Sequence, residues 1–310
     1  MNEAKRILVV GSMNMDLVAT MERFPQANET IIGDDYQFIA GGKGGNQAVA
    51  AARLGGDVWI YASVGDDEQG AKLRQGMEAE GISTEHIQIS AEAPTGLTLI
   101  PVDAQGNNQI MVLPGANLML EATGLEAVFD AVKPDAVILQ LEIELEVIKK
   151  AIRLCMEREI LSVLDAGPAL DVPLETFRGI SLISPNESEC QAWTGITPKD
   201  LETSAQASKV LFEKTDADYV VLKMGKLGAY YHDGSSAALI PPTSHQAVDS
   251  TAAGDCFTAA LTLRFLETGE WEESILFANV AAGITVSRMG AQPSLPQRAE
   301  VDQFIKENYI

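Results

Sequence analysis

Short apolar runs rich in β-branched residues alternate with helical stretches along most of this chain, and that alternation limits its fold more than any other feature. Residues 7–11 (ILVVG) and 58–65 (VWIYASVG) are the first such runs, and 136–141, 161–164, 179–184 and 219–223 continue the series. Helical patterns over 46–54, 67–80, 144–158, 187–194 and 200–214 fall between them, and 254–268, 271–288 and 297–307 close the chain. A strand that is apolar on both sides has to be covered on both sides. Repeated strand–helix units therefore predict an α/β fold with a mostly parallel central sheet and helices on both faces.

Two segments break the rhythm. Residues 17–40 carry strand-like stretches interrupted by Pro25 and Gly33, with no long helical pattern. Residues 95–102 and 109–113 read as two strands about the turn DAQGN at 103–107. Together they predict a small β layer assembled from two separated insertions. The expected organisation is one large domain (1–16, 41–94 and 114–310) and a small β lid (17–40 and 95–113), with the active site in the crevice between them. Short strands near 229–233 and 237–240 complete the pattern, and 310 residues suffice for such a core.

Charge decides what that crevice can hold. Lys and Arg number 22 against 44 Asp and Glu, a formal net charge of −22. So acidic a surface argues against nucleic acid or an anionic membrane as partner. An anionic ligand would need a focused local site. The three cysteines and three histidines have neither metal-ligand spacing nor a disulfide framework. No stretch approaches the roughly 20 apolar residues of a membrane span, and the first apolar run has no cleavage pattern after it. The expectation is a soluble, cytoplasmic protein.

Three segments suggest chemistry. In Asp249-Ser250-Thr251-Ala252-Ala253-Gly254-Asp255, small residues at 252–254 let the backbone turn tightly before a helix, so that several N–H groups share one space. That makes an anion hole without a lysine. Asp255, in the first helical turn, is placed to take a proton from a hydroxyl beside it; a plain helix cap is the simpler alternative. In Gly41-Gly42-Lys43-Gly44-Gly45-Asn46, four glycines leave room for a ligand against the backbone, with Lys43 and Asn46 as donors. Its spacing is neither a P-loop nor a dinucleotide fingerprint, and a tight turn before a helix would look the same. In Gly11-Ser12-Met13-Asn14-Met15-Asp16, an extended backbone points Asn14 and Asp16 the same way, as a grip on neighbouring hydroxyls requires. Glu142, after another strand, can face the same crevice. Cys256 reads as packing, because the adjacent Asp255 disfavours a thiolate.

These segments together resemble the ribokinase family of sugar and nucleoside kinases. The resemblance runs from Gly11 to about Glu300 and rests on GGKGGNQAVAAARLG, on DSTAAGDCFTAAL, and on Asn186-Glu187-Ser188-Glu189 between them. The patterns GSxNxD, NExE and GAQPS are most similar to the ribose-specific members. It implies ATP-dependent phosphorylation of a small sugar, D-ribose at O5 in first place and deoxyribose or a ketohexose such as fructose as alternatives. A non-catalytic sugar-binding or regulatory protein on the same fold is the alternative of a different class. The implied roles are Asp255 as base, Ala252, Ala253 and Gly254 as the hole for the γ-phosphoryl group, and Asn14, Asp16, Gly42, Lys43, Asn46 and Glu142 as the sugar pocket. Asn186 and Glu189 belong near the phosphates, with Glu189 organising Mg²⁺ and its waters. Lys223, Met224, Gly225, Lys226, Leu227 and Gly228 match the nucleotide loop, and Asn279 lies where the adenine edge is expected. A site for a monovalent cation, normally K⁺, falls on Asp249, Thr251, Thr285, Arg288, Gly290 and Ser294. The two β insertions become a lid that pairs between subunits in a homodimer. The chain departs from the family pattern where LDAGPA (164–169) replaces the usual asparagine-proline-alanine-proline, at Met13 and Met15 beside the sugar contacts, and at Gly45, where ribokinases have alanine.

Overall fold

The structure, a computed structural model, describes residues 4–309. In chain order the strands are β1 (Arg6–Val10), β2 (Asn14–Thr20), β3 (Asp35–Gly41), β4 (Asp57–Gly65), β5 (Ile87–Ser90), β6 (Gly96–Val102), β7 (Met111–Leu113), β8 (Ala136–Leu139), β9 (Leu161–Asp165), β10 (Leu182–Ser184), β11 (Tyr219–Lys223), β12 (Ala229–His232) and β13 (Ala237–Ile240). The helices are α1 (Lys43–Arg53), α2 (Glu68–Ala79), α3 (Leu125–Val132), α4 (Leu145–Arg158), α5 (Glu187–Thr194), α6 (Leu201–Thr215), α7 (Ala253–Thr268), α8 (Trp271–Val286) and α9 (Arg298–Tyr309).

Nine strands form one sheet in the order β13-β12-β11-β10-β9-β8-β1-β4-β5. It is parallel from β5 to β11, and β12 and β13 add an antiparallel edge. The α/β reading of the sequence holds. Alternate residues of β1 show why both faces must be covered: Ile7 and Val9 pack into one apolar cluster with α1, α7 and α8, while Leu8 and Val10 pack into another with α3, α4 and α6. All four side chains are fully buried.

A second sheet has the order β3-β2-β6-β7, with β2 and β6 parallel and the outer pairs antiparallel. Only three residues, 11–13, separate β1 in the large sheet from β2 in the small one. The pairing register sets Asn14 between Gly41 and Gly96. One face of this sheet leaves large apolar side chains in the open, among them Tyr36, Phe38, Met111 and Leu113.

The differences from the sequence reading are local. Helix α1 begins at Lys43, not Asn46, so Gly44 and Gly45 are helical. Gly44 needs to be bare because a Cβ there would lie 2.7 Å from backbone atoms of Ser12. Strand β5 and helix α3 carried too short a pattern to be read, and β10 is shorter than expected because 179–181 form no ladder. Among the described residues no helix is long and apolar enough to cross a membrane.

Candidate active site

The site lies where the carboxyl ends of β1, β8, β9 and β11 meet the first turns of α1 and α7. This is the crevice an open parallel sheet offers to ligands. Asp255 sits in the first turn of α7 and is buried. Its Oδ2 accepts a hydrogen bond from Asn46 Nδ2 at 2.8 Å, and its Oδ1 faces Lys43 Nζ at 3.4 Å. The Asn46 side-chain oxygen is buried and has no partner. Ala252, ahead of the helix, adopts the left-handed conformation (φ 60), and no side chain caps α7. The Ala253 N–H turns back to the Ser250 carbonyl at 3.3 Å, and the other first-turn amides are left without intrahelical partners.

The hydroxyl-binding candidates collect on the other side of Lys43. Asn14 is buried, with its Oδ1 accepting from Asn117 Nδ2 at 2.7 Å and its Nδ2 directed at Thr98 Oγ1 at 3.4 Å. Asp16 is buried too; its desolvation, abetted by Glu142 and Asp255 and only partly offset by Thr98, raises its pKa to about 6. Glu142 accepts from Ser12 Oγ at 2.5 Å and from the Lys43 backbone N–H at 3.1 Å. Gly42 (φ 81) packs its Cα against the backbone of Met13 and Asn14, where a Cβ would be 2.6 Å from the Asn14 nitrogen. A cavity of about 440 Å³ opens beside Asn14 and Glu142, walled by Val112, Leu118 and Leu170.

Asn186 and Glu189, the residues predicted to lie near the phosphates, form a capping box at the start of α5: Glu189 N–H donates to Asn186 Oδ1 at 2.9 Å, and Asn186 N–H to Glu189 Oε2 at 2.8 Å. Burial raises the Glu189 pKa, with Lys223 opposing and Asp165 adding to the rise. Lys223 ends β11, and its Nζ pairs with Asp165 Oδ1 at 3.1 Å. Lys43 Nζ is 3.9 Å from that same oxygen. Burial works against the Lys43 ammonium, but Asp255, Asp165, Glu142 and Glu189 outweigh it and raise its pKa.

Several residues of the predicted nucleotide loop have other engagements. The Met224 side chain is buried in the core and accepts from Ser204 Oγ at 3.4 Å. Gly225, Lys226 and Leu227 form a single 3-10 turn. A Cβ on Gly228 would lie 2.0 Å from the Ile240 carbonyl oxygen. Asn279 spends its amide on the Ile240 and Pro241 carbonyls, at 3.4 and 3.0 Å. It thereby fixes the loop after β13.

Of the predicted cation ligands, Thr251 and Gly290 gather on Asp249. Its Oδ1 accepts from Thr251 N–H at 2.9 Å and from Thr251 Oγ1 at 2.7 Å, and its Oδ2 from Gly290 N–H at 2.9 Å. Burial favours protonation, but these bonds prevail and hold the Asp249 carboxyl below its usual range. Arg288 N–H donates to the Thr285 carbonyl at 3.1 Å, while the Arg288 guanidinium pairs with Glu300. Ser294 is buried in a 3-10 turn, with its hydroxyl on the Ala291 carbonyl at 2.7 Å. Among the described residues no three His, Cys, Asp or Glu side chains group to hold a metal by themselves.

Sequence reasoning missed Asp165, Gln47, Gln140, Ser12 and Asn117. Asp165 was visible only as an acidic residue in the atypical LDAGPA stretch, and its partners are distant in sequence. Cys256 is packing as expected: it is buried, and desolvation pushes its thiol up to about 12.

A carboxylate in the first turn of a helix, facing a pocket of amides and carboxylates, can take the proton of a hydroxyl whose oxygen then accepts a phosphoryl group. Known proteins agree. The model of the "pfkB family carbohydrate kinase" matches residues 4–298. The chain is 35% identical over 302 residues to the ribokinase of Bacillus subtilis, covering 97% of this chain and 99% of the relative. It is 34% identical over 309 residues to a bifunctional ribokinase/ribose-5-phosphate isomerase A of Fructilactobacillus sanfranciscensis, and spans 99% of itself but only 57% of that protein. The solved structure of Arabidopsis thaliana ribokinase complexed with ribose and ATP superposes with a TM-score of 0.89 at 30% identity, over 98% of this chain and 99% of that one. With its family model spanning nearly the whole chain and its site built at the start of α7, this protein belongs to the pfkB family of carbohydrate kinases.

Proposed function

We propose that this protein transfers the γ-phosphoryl group of ATP to O5 of D-ribose, giving D-ribose 5-phosphate and ADP. The observation that carries this reading is the meeting of the buried Asp255 carboxylate, its Asn46 and Lys43 partners, and the amide-lined start of α7. The similar Arabidopsis protein, solved with ribose and ATP, supports the choice of both substrates.

Asn14, Asp16, Asn46, Glu142 and the Gly42 backbone hold the sugar hydroxyls. Asp255 takes the O5 proton as the O5–P bond forms, and the bond from the γ-phosphorus to its bridging oxygen breaks with its electron pair leaving on ADP. The amides of Ala252, Ala253 and Gly254 receive the charge that gathers on the equatorial phosphoryl oxygens. Lys43 lies between base and phosphates and serves both. The nucleotide lies along 223–228, with its base toward Asn279. Asn186 and Glu189 would hold the waters of Mg²⁺, which supplies charge neutralisation on the polyphosphate. K⁺ at Asp249, Thr251, Thr285, Arg288, Gly290 and Ser294 would stiffen the loop leading into the anion hole. The segments 17–40 and 95–113, which carry most of the small sheet, act as a lid, and the apolar face of that sheet pairs with that of a second copy. The test is coupled ADP production from MgATP and K⁺ with ribose, deoxyribose, fructose or adenosine, beside an Asp255→Asn control. Ribose turnover that the control loses is expected, and faster turnover of another acceptor would remove the ribose assignment.

A further inference from the structure

We propose that Asp165 is a positioning residue: a buried counter-charge that holds the ammonium groups of Lys43 and Lys223 in the free protein and yields them to the phosphates when nucleotide binds. The inference rests on the nucleotide reading above.

Asp165 is the last residue of β9 and is fully buried. Its Oδ2 accepts from Gln47 Nε2 and from Thr258 Oγ1, both at 3.1 Å, and its Oδ1 from Gly167 N–H at 3.2 Å. Gln47 is one turn past Lys43 on α1, and its own oxygen is fixed by Gln140 at 2.6 Å. Thr258 is one turn past Gly254 on α7, and its hydroxyl also lies 3.1 Å from the Gly254 carbonyl. One carboxylate therefore ties together the helix bearing Lys43, the helix bearing the anion hole and the strand bearing Lys223.

The two lysines are placed differently from their partner. Lys43 and Lys223 side chains are 25% and 11% exposed, whereas Asp165 is at 0%. The ammonium groups can turn toward the crevice; the carboxylate cannot. Lys223 Nζ already stands beside the start of α7, 3.8 Å from where a Gly254 Cβ would be. A buried ion pair is poor value for stability, since apolar residues of the same volume often do as well. Its use here is to keep two cations preorganised on long, flexible stems. Burial alone would protonate Asp165, but Lys223, Lys43 and its hydrogen bonds keep it ionised. A nucleotide must compete with this carboxylate for both lysines, so Asp165 weakens the grip on ADP while aiming Lys43 at the reacting groups.

Asp165→Asn keeps the shape and removes the charge. Calorimetric titration with MgADP is expected to give a Kd tighter by about three- to tenfold, the scale of one partly exposed charge pair. At the same time kcat should fall and the KM for ribose should stay within about twofold of wild type. In a Lys223→Met background the effect on ADP should shrink, because the two substitutions act on one pair. Damage to the fold would weaken ADP binding instead. Unchanged or weaker ADP binding by a folded Asp165→Asn protein overturns the proposal. A crystal structure of wild type with MgADP gives an answer independent of that variant's folding. Lys223 Nζ is expected beyond about 4 Å, the outer limit of an ion pair, from Asp165 Oδ1, and an intact pair there overturns the proposal. A wild-type protein that binds no ADP overturns the nucleotide reading and this inference with it.

Discussion

Asp255 and Asp16 are both buried carboxylates, yet their surroundings assign them different work. Asp255 has Asn46 and Lys43 within reach, whereas Asp16 has lost most of its water with no cation to replace it. Asp255→Asn should lower kcat by about 10²-fold or more, the range for a missing general base, with an unchanged melting curve as the control. Asp16 should show itself through pH. An acid whose pKa is about 6 in the folded protein and 3.8 otherwise binds more protons when folded. Its contribution therefore stabilises the free protein as pH falls from above 6 toward 4, and is lost as pH rises through 6. If the ionised form grips the sugar, the KM for ribose should climb below about pH 6. Asp16→Asn should raise KM at neutral pH and flatten that limb; a limb that persists in the variant assigns it to another group. Sequence makes both aspartates visible because each sits in a dense local motif. Asp165 escapes because its partners Gln47, Thr258 and Lys223 are 118, 93 and 58 positions away, and chain separation hides such a node.

At the scale of elements, α1 and α7 bring their first turns to one place, and each depends on a residue that a different side chain would spoil. Gly44→Ala would press a methyl group into the Ser12 backbone, which cannot yield as a flexible side chain would. A loss of about 1–3 kcal/mol is expected, as for other overpacked sites, read as a lower midpoint in chemical denaturation. Catalysis should suffer with it, since Lys43 precedes Gly44 directly. Wild-type stability in this variant would mean that α1 has more slack than its packing suggests. The large-sheet strands were legible because burial on both faces demands uninterrupted apolar runs such as ILVV and AVIL. The short edge strand β5 (IQIS) and the eight-residue α3 were not, since neither is long enough to show a period. The start of α1 was misread for a physical reason: glycine is a poor helix former, and only the close approach of Gly44 to Ser12, which no local pattern shows, accounts for a glycine inside the helix.

For the molecule as a whole, the acidic surface and the apolar face of the small sheet pull in opposite directions. Each copy carries −22, so two copies repel, while Tyr36, Phe38, Met111 and Leu113 offer area to bury. If that face joins two copies, added salt should strengthen the pairing by screening the repulsion. Sedimentation at low and moderate ionic strength is expected to show a dimer that tightens with salt. Met111→Glu should shift it toward monomer, and a dimer indifferent to Met111→Glu would place the contact elsewhere. That a second sheet exists could be read from the interrupted alternation. Which of its faces is left bare could not, because β3 carries apolar side chains on both.

The three-residue passage between β1 and β2 has a mechanical consequence. Strand β2 is a stiff arm about 20 Å long, at about 3.3 Å per residue, anchored at one end to the most buried part of the large sheet. Asn14 and Asp16 lie near its fulcrum and Thr20 at its tip. A swing that carries the tip several ångströms moves Asn14 by only a small fraction of that distance. If the small sheet moves as the proposed lid, its outer end can thus travel widely while Asn14 and Asp16 stay almost still, like the jaws of pliers close to their pin.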